Sequence, residues 1–190
     1  MGITRTRLVL ALLALVLMNG IVWHALHAPN GVRVAQVAEG QGAATLVTIG
    51  ATRVLVGAGA DASVLRGLGT TLLPWQRSLT VLVLPNLKPD TAGGAVAVLA
   101  RYRVGALLRT AFPGTNATER TLVDAESASG LRSLALPPGA ELDLGGGAFI
   151  SFASAPNGLS ATLIYGPARV PLASTTPAGT YLENGTRLPG

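Results

Sequence analysis

The 190-residue chain contains no cysteine, a single lysine (Lys88), and two histidines, His24 and His27, both near the N-terminus. Without cysteine there is no disulfide framework and no thiolate metal site. The compartment stays open, because a cysteine-free chain suits an oxidising space without requiring one. Charged residues make up only 12% and aromatics 4%, which excludes a disordered, highly charged chain. The net charge of +5 comes from 14 Lys+Arg against 9 Asp+Glu. Nearly all the cations are arginines dispersed along the sequence, whereas a nucleic-acid surface is better supported by a basic cluster. What is abundant is apolar content, at 49%. The length suits one ordinary domain, with about 160 residues left after any membrane segment, enough to bury a core.

The longest apolar run follows Arg5 and Arg7. It extends from Leu8 to Trp23, broken only by Asn19 and Gly20. Carried on to Leu26 it reaches about 19 residues, near the length that crosses a bilayer core. Trp23 and His24 then fall at interface depth. A cleaved signal peptide and a buried soluble helix are the competing readings. The run is long for a signal peptide, and cleavage after Ala28 would leave Pro29 first and Leu26 at the minus-three site, both poor choices. Residues 1–28 are therefore expected to be an uncleaved single-pass anchor in a cell membrane. Arg5 and Arg7 keep its N-terminus cytoplasmic and the following domain extracytoplasmic.

Beyond Pro29, Asn30 and Gly31 the pattern is α/β. Apolar β-type runs are expected at Val32–Val37, Ala44–Ile49, Arg53–Val56, Leu79–Leu84 and Val104–Arg109. Asp61 is placed to cap a helix running to about Leu72. One helix is expected over Thr91–Tyr102, and a short one over Asn116–Ser127. The remainder reads as strands at Leu131–Leu136, Leu142–Leu144, Ala148–Ala153, Leu159–Tyr165 and Ala168–Leu172. Residues 173–190, rich in Thr, Pro and Gly, give no helix or strand signal and are expected to form an extended arm.

Four of these segments follow a specific order. Val32–Val47 is a strand, a Gly-Gln-Gly turn and a second strand. Arg53–Leu72 is a strand, a glycine-rich loop and a helix. Leu79–Val104 carries Pro-Asn-Leu-Lys-Pro-Asp-Thr-Ala-Gly-Gly between a strand and a helix. Pro156–Leu172 is a late hairpin ending in Tyr-Gly. Together they resemble the metallo-β-lactamase-type domain at the C-terminus of ComEC-like DNA-uptake competence proteins. The resemblance implies an abbreviated αββα fold over residues 29–172.

Hydrolases of that type hold one or two divalent metals with His and Asp on loops at strand ends. The resemblance implies His at position 86, His or Asp at 88, Asp at 90 and His at 91. This chain has Asn86, Lys88, Asp90 and Thr91. Gly57 stands where an Asp is implied at the end of the third strand, and Thr175 where a late bridging Asp is implied. Ala38 and Ala43 replace acidic residues flanking the Gly-Gln-Gly turn. One carboxylate cannot assemble a hydrolytic metal site, so no metal, no cofactor and no small-molecule substrate are expected.

Other constellations have ordinary readings. Asp90 is expected to cap the Thr91 helix, and Gly93 and Gly94 to allow close packing of that helix on the sheet. Gly145–Gly147 reads as a turn, since no Gly-Lys-Ser/Thr follows. Ser160 and Ser174 have no histidine within the domain to activate them. Arg101, Arg103 and Arg109 could track a phosphate backbone, but Arg101 and Arg103 read as solvated charges flanking a helix end. Asn116 and Asn184 match the common glycosylation tripeptide. Trp75 reads as a core plug.

The expected function is therefore a non-catalytic, membrane-anchored structural or accessory subunit of a larger membrane complex, a pseudoenzyme on this fold. The alternative is a DNA-binding, non-cleaving component of an uptake apparatus. Contacts to lipid or to partner subunits are expected at Asn19, Gly20, Trp23, Tyr181 and Leu182, and the arm is expected to order against a partner.

Overall fold

The computed structural model of the chain describes residues 31–38, 42–111, 117–131, 133–173 and 178–188. The expected anchor, with Asn19, Gly20 and Trp23, lies outside these residues, as do Gly40, Gln41, Asn116, Ser174 and Thr175. Among the described residues no helix is long and apolar enough to cross a membrane. Gly31–Gly190 forms one compact unit.

The first three strands, β1 (Val32–Gln36), β2 (Thr45–Ile49) and β3 (Thr52–Val56), form an antiparallel meander. Three parallel strands extend it: β4 (Ser78–Leu84), β5 (Arg103–Thr110) and β6 (Ser133–Leu136). Parallel neighbours need crossover connections. These are α1 (Val64–Thr71), then α2 (Pro89–Ala92) with α3 (Ala95–Arg101), then α4 (Ala117–Ser129). A second, four-stranded sheet follows by consecutive hairpins through β7 (Glu141–Gly145), β8 (Ala148–Ala155), β9 (Gly158–Tyr165) and β10 (Ala168–Pro171). The chain then returns to the first sheet as β11 (Gly179–Tyr181) and β12 (Arg187–Leu188), giving the order β12-β11-β1-β2-β3-β4-β5-β6.

Two buried clusters lie on opposite faces of the eight-stranded sheet, and the side chains sort between them by shape. Val32, Val34, Val47, Val54, Val56 and Val83 face the second sheet, meeting Ile150, Phe152, Leu163 and Tyr165. Leu46, Leu55, Leu82, Leu84 and Leu107 face the helices, meeting Val64, Leu68, Val98 and Leu122. Compact β-branched side chains fill the flat space between sheets. Longer leucines reach between helices. Each large side chain buried this way contributes roughly 1.5–3 kcal/mol. The buried apolar residues of the four described helices lie on the leucine side, so the described architecture is α/β/β, an abbreviated form of the expected αββα.

Four local expectations need correction. The Thr91–Tyr102 helix is two helices, α2 and α3, parted at Gly93-Gly94. The glycine pair lies against the Ala58–Asp61 loop rather than the sheet: a Cβ on Gly93 would strike the Ala60 carbonyl, and one on Gly94 the Ala58 carbonyl. Asp61 lies two residues before the α1 N-cap, Ser63, and accepts the Ser63 N–H at 2.8 Å. The arm is not free. Tyr181 pairs with Val32 and is buried at 6% exposure in the inter-sheet cluster. Its ring packs inside the chain, while the neighbouring Leu182 is half-buried. Low side-chain hydrophobicity hid strands whose order comes from backbone pairing to a sheet edge.

Tyr181→Ala should therefore cost about 3 kcal/mol or more of folding stability. Truncation after residue 177 should lower the melting temperature clearly. Denaturant titration followed by circular dichroism measures both.

Candidate functional site

Parallel α/β sheets gather their loops at the C-terminal strand ends. Here β3, β4 and the turn before β2 converge at such an end, and they bring together the positions the sequence singled out. Gly57 ends β3, and its N–H donates to the Val83 carbonyl of β4 at 2.8 Å. Ala58 N–H donates to the Thr91 carbonyl at 2.6 Å, Ala43 N–H to the Asp90 carbonyl at 3.1 Å, and Gly59 N–H to the Ala43 carbonyl at 3.1 Å. On the far side, Leu159 N–H donates to the Pro85 carbonyl at 2.8 Å. The loops are bonded to one another through backbone.

Gly57 is the tightest point. Its φ is +74°, in the left-handed region that favours glycine, and a Cβ there would collide with the Ala43 carbonyl oxygen. The Thr91 methyl lies 3.4 Å from the same virtual atom, so positions 57 and 91 do adjoin. Thr91 and Leu87 are buried at 5% exposure each. Lys88 and Asp90 are exposed. Lys88, not Asp90, is the α2 N-cap, and no side chain caps the helix; the Asp90 carboxylate instead accepts the Thr91 hydroxyl at 3.2 Å. Asn86 turns its amide oxygen onto the Lys88 N–H at 3.0 Å.

The other candidates are dispersed. Ser160 is exposed and donates to the Ala153 carbonyl at 3.3 Å. Asn184 is exposed and accepts the Thr186 N–H at 3.0 Å. Arg109 reaches Glu119 at 3.7 Å and Glu126 at 3.6 Å. Gly145–Gly147, all with positive φ, form the β7–β8 turn.

Sequence reasoning missed a groove at the opposite end of the sheet. It measures about 510 Å³ and lies between the C-terminal ends of α1 and α3, with walls that include Leu65, Leu72, Leu73 and Tyr102, and Arg66, Arg77 and Arg101. Trp75 stands beside it at 75% exposure, which corrects the core-plug reading, and Leu73 is 50% exposed. Burial pushes the Tyr102 phenol up, while Arg77 and Arg101 pull it down. These arginines are far apart in sequence, and only the two crossovers bring them together.

No known family profile matches this sequence, and no curated protein does. Solved structures match at the level of fold. The metallo-β-lactamase fold protein YhfI from Bacillus subtilis superposes with a TM-score of 0.54 at 14% identity, over 75% of this chain and 61% of that one. Zinc-bound PqqB from Methylobacterium extorquens gives 0.53 at 12%, over 80% and 62%. The diiron β-hydroxylase CmlA from Streptomyces venezuelae gives 0.50 at 15%, over 78% and 30%. The chain thus has the metallo-β-lactamase fold, and it spans about three fifths of the first two structures.

That fold implies a metal at the strand-end loops, and the residues present do not fit one. Among the described residues no three His, Cys, Asp or Glu side chains come together. Asp90 is the single carboxylate on its loop, Lys88 puts a cation beside it, and the Gly57 backbone admits no side chain. Amide and ammonium groups do not replace imidazole and carboxylate ligands.

Gly57→Ala and Gly57→Asp should both destabilise the domain by about 2 kcal/mol or more, in denaturant titrations, because each combines strain at positive φ with a backbone collision. Hydrogen bonds from the Ser63 hydroxyl and N–H hold the Asp61 carboxyl below its ordinary range. Its small stabilisation is present above the unfolded value and is lost as pH falls through the folded one. Ser63→Ala should raise the Asp61 titration midpoint, read by carboxyl carbon NMR.

Proposed function

We propose that this chain is a non-catalytic structural or accessory subunit, held at a membrane by its N-terminal segment with the domain on the extracytoplasmic side, and built on a metallo-β-lactamase fold that has given up its metal chemistry. The observation that carries the reading is Gly57. A substituted ligand could be restored by one mutation, but here the backbone occupies the space a ligand side chain needs. The loops keep the architecture of a metal site and use it for packing, with Leu87 and Thr91 buried and backbone groups paired across it. A domain kept in this form serves through its surface, and low charge leaves surface suited to permanent partners.

The ComEC-like reading, a DNA-binding component that does not cleave, draws on the net charge of +5 and on the arginines gathered at the groove. Phosphate-driven binding falls steeply with salt.

Detergent-solubilised full-length protein should co-purify with stoichiometric membrane subunits, contain no stoichiometric zinc, manganese or iron by elemental analysis, and leave DNA unretarded at about 150 mM salt. A lone monomer that retards duplex DNA at that salt supports the DNA reading instead. Tightly held metal lost on Asp90→Ala overturns both.

A further inference from the structure

We propose that the groove end of the domain, centred on Trp75, Arg77 and Arg101, docks on the headgroups of an anionic phospholipid surface. This rests on the membrane-anchor reading above. Three observations support it. The first is connectivity. β1 runs parallel to β3, β4 and β5, because β2 is antiparallel to both β1 and β3. The start of β1 therefore lies at the same end as the starts of β4 and β5, in register Ser78↔Arg103. The described chain begins one residue earlier, at Gly31, so residues 1–30 are joined at the groove end and not at the end of the former metal loops. If the bilayer span closes at Leu26, residues 27–30 reach at most about 14 Å fully extended. That tether holds the groove end close to a headgroup layer roughly 5–7 Å deep.

The second observation is chemical. Trp75 and Leu73 are the two most exposed large apolar residues of the helical face at this end, at 75% and 50%. An exposed tryptophan costs free energy in water, and its amphipathic ring prefers the headgroup level. The third is charge. Arg66, Arg77 and Arg101 line the groove and, among the described residues, no acidic residue does. Arg103, also exposed, follows directly at the start of β5. Guanidinium groups bind phosphate through paired N–H donors. The apolar floor formed by Leu65, Leu72 and Tyr102 matches the glycerol and upper acyl region beneath a phosphate.

The test uses the full-length chain carrying Trp23→Phe, which leaves Trp75 as the one tryptophan. It is reconstituted in phosphatidylcholine vesicles with and without about 30 mol% phosphatidylglycerol, and binding is weakened with about 0.5 M salt. In anionic vesicles Trp75 emission should shift to the blue and be quenched at least one third by bromolipid. The quenching should fall at least two-fold in high salt, in neutral vesicles, and in the Arg77→Gln/Arg101→Gln variant, whose thermal melt is checked to confirm folding. Emission that stays water-like, quenched by iodide and not by bromolipid, overturns the docking. So does quenching that ignores lipid charge. Shielding of Trp75 from both quenchers in native membranes assigns the surface to a protein partner and also overturns it. Alkaline carbonate extraction reports on the anchor separately. If carbonate strips the chain, the anchor reading has failed, and salt-sensitive flotation with anionic vesicles then decides the docking by itself.

Discussion

The molecule is organised around one close approach, where the Ala43 carbonyl sits against the α-carbon of Gly57. That contact closes the end of the β2–β3 pair and brings the Ala58–Asp61 loop under the glycine pair of the α2–α3 junction. It also fixes the β3 end against Val83 of β4. In a fold whose strand ends are the usual seat of chemistry, the backbones of Ala43, Gly57 and Ala58 are packed together at this end. Backbone hydrogen bonds are obligatory once buried, so a loop cluster satisfied in this way is rigid. Any side chain added at its centre must break several partners together.

The parallel strands beyond Gly57 depend on that rigidity. The first two crossovers begin at that end and return their helices to the far end of the sheet, where the C-termini of α1 and α3 leave Leu73, Trp75 and the arginines. The two ends of one sheet thus have opposite characters. One is tightly paired and short of charged side chains that could work together. The other is open, basic and partly apolar. The central strands are divided in the same spirit, with the valines of β1–β4 turned to the second sheet and the leucines of β2–β5 turned to the helices.

Much of this was legible in the sequence. The continuous apolar run Leu79–Leu84 announced a strand covered on both faces, and β4 is an interior strand of the sheet, between β3 and β5. Asn86, Lys88 and Thr91 were legible as departures from the resembled pattern, and the fold places Thr91 beside Gly57. The order and spacing of the four motif segments announced the fold. What stayed hidden depended on distance in the chain. Tyr181 reads as an isolated aromatic in a polar arm, and only pairing with Val32 makes it core. Trp75 reads as core because large aromatics usually are, yet it stands in solvent. Arg77 and Arg101 are separated by a strand and two helices, so no local window shows them as neighbours. Gly57 reads as a missing ligand, while its positive φ and the collision it avoids are properties of the assembled backbone.

The margins of the two sheets carry a last consequence. A chain with one lysine cannot guard its strand edges with lysine side chains, a common defence against edge-to-edge pairing. It uses brevity and proline instead. The eight-stranded sheet ends in β12, two residues long, and in β6, four residues long and followed directly by Pro137 and Pro138. The four-stranded sheet ends on one side in β10, four residues closed by Pro171. Three of the four margins thus offer few free backbone groups to seed another strand, and the fourth, β7, is five residues long.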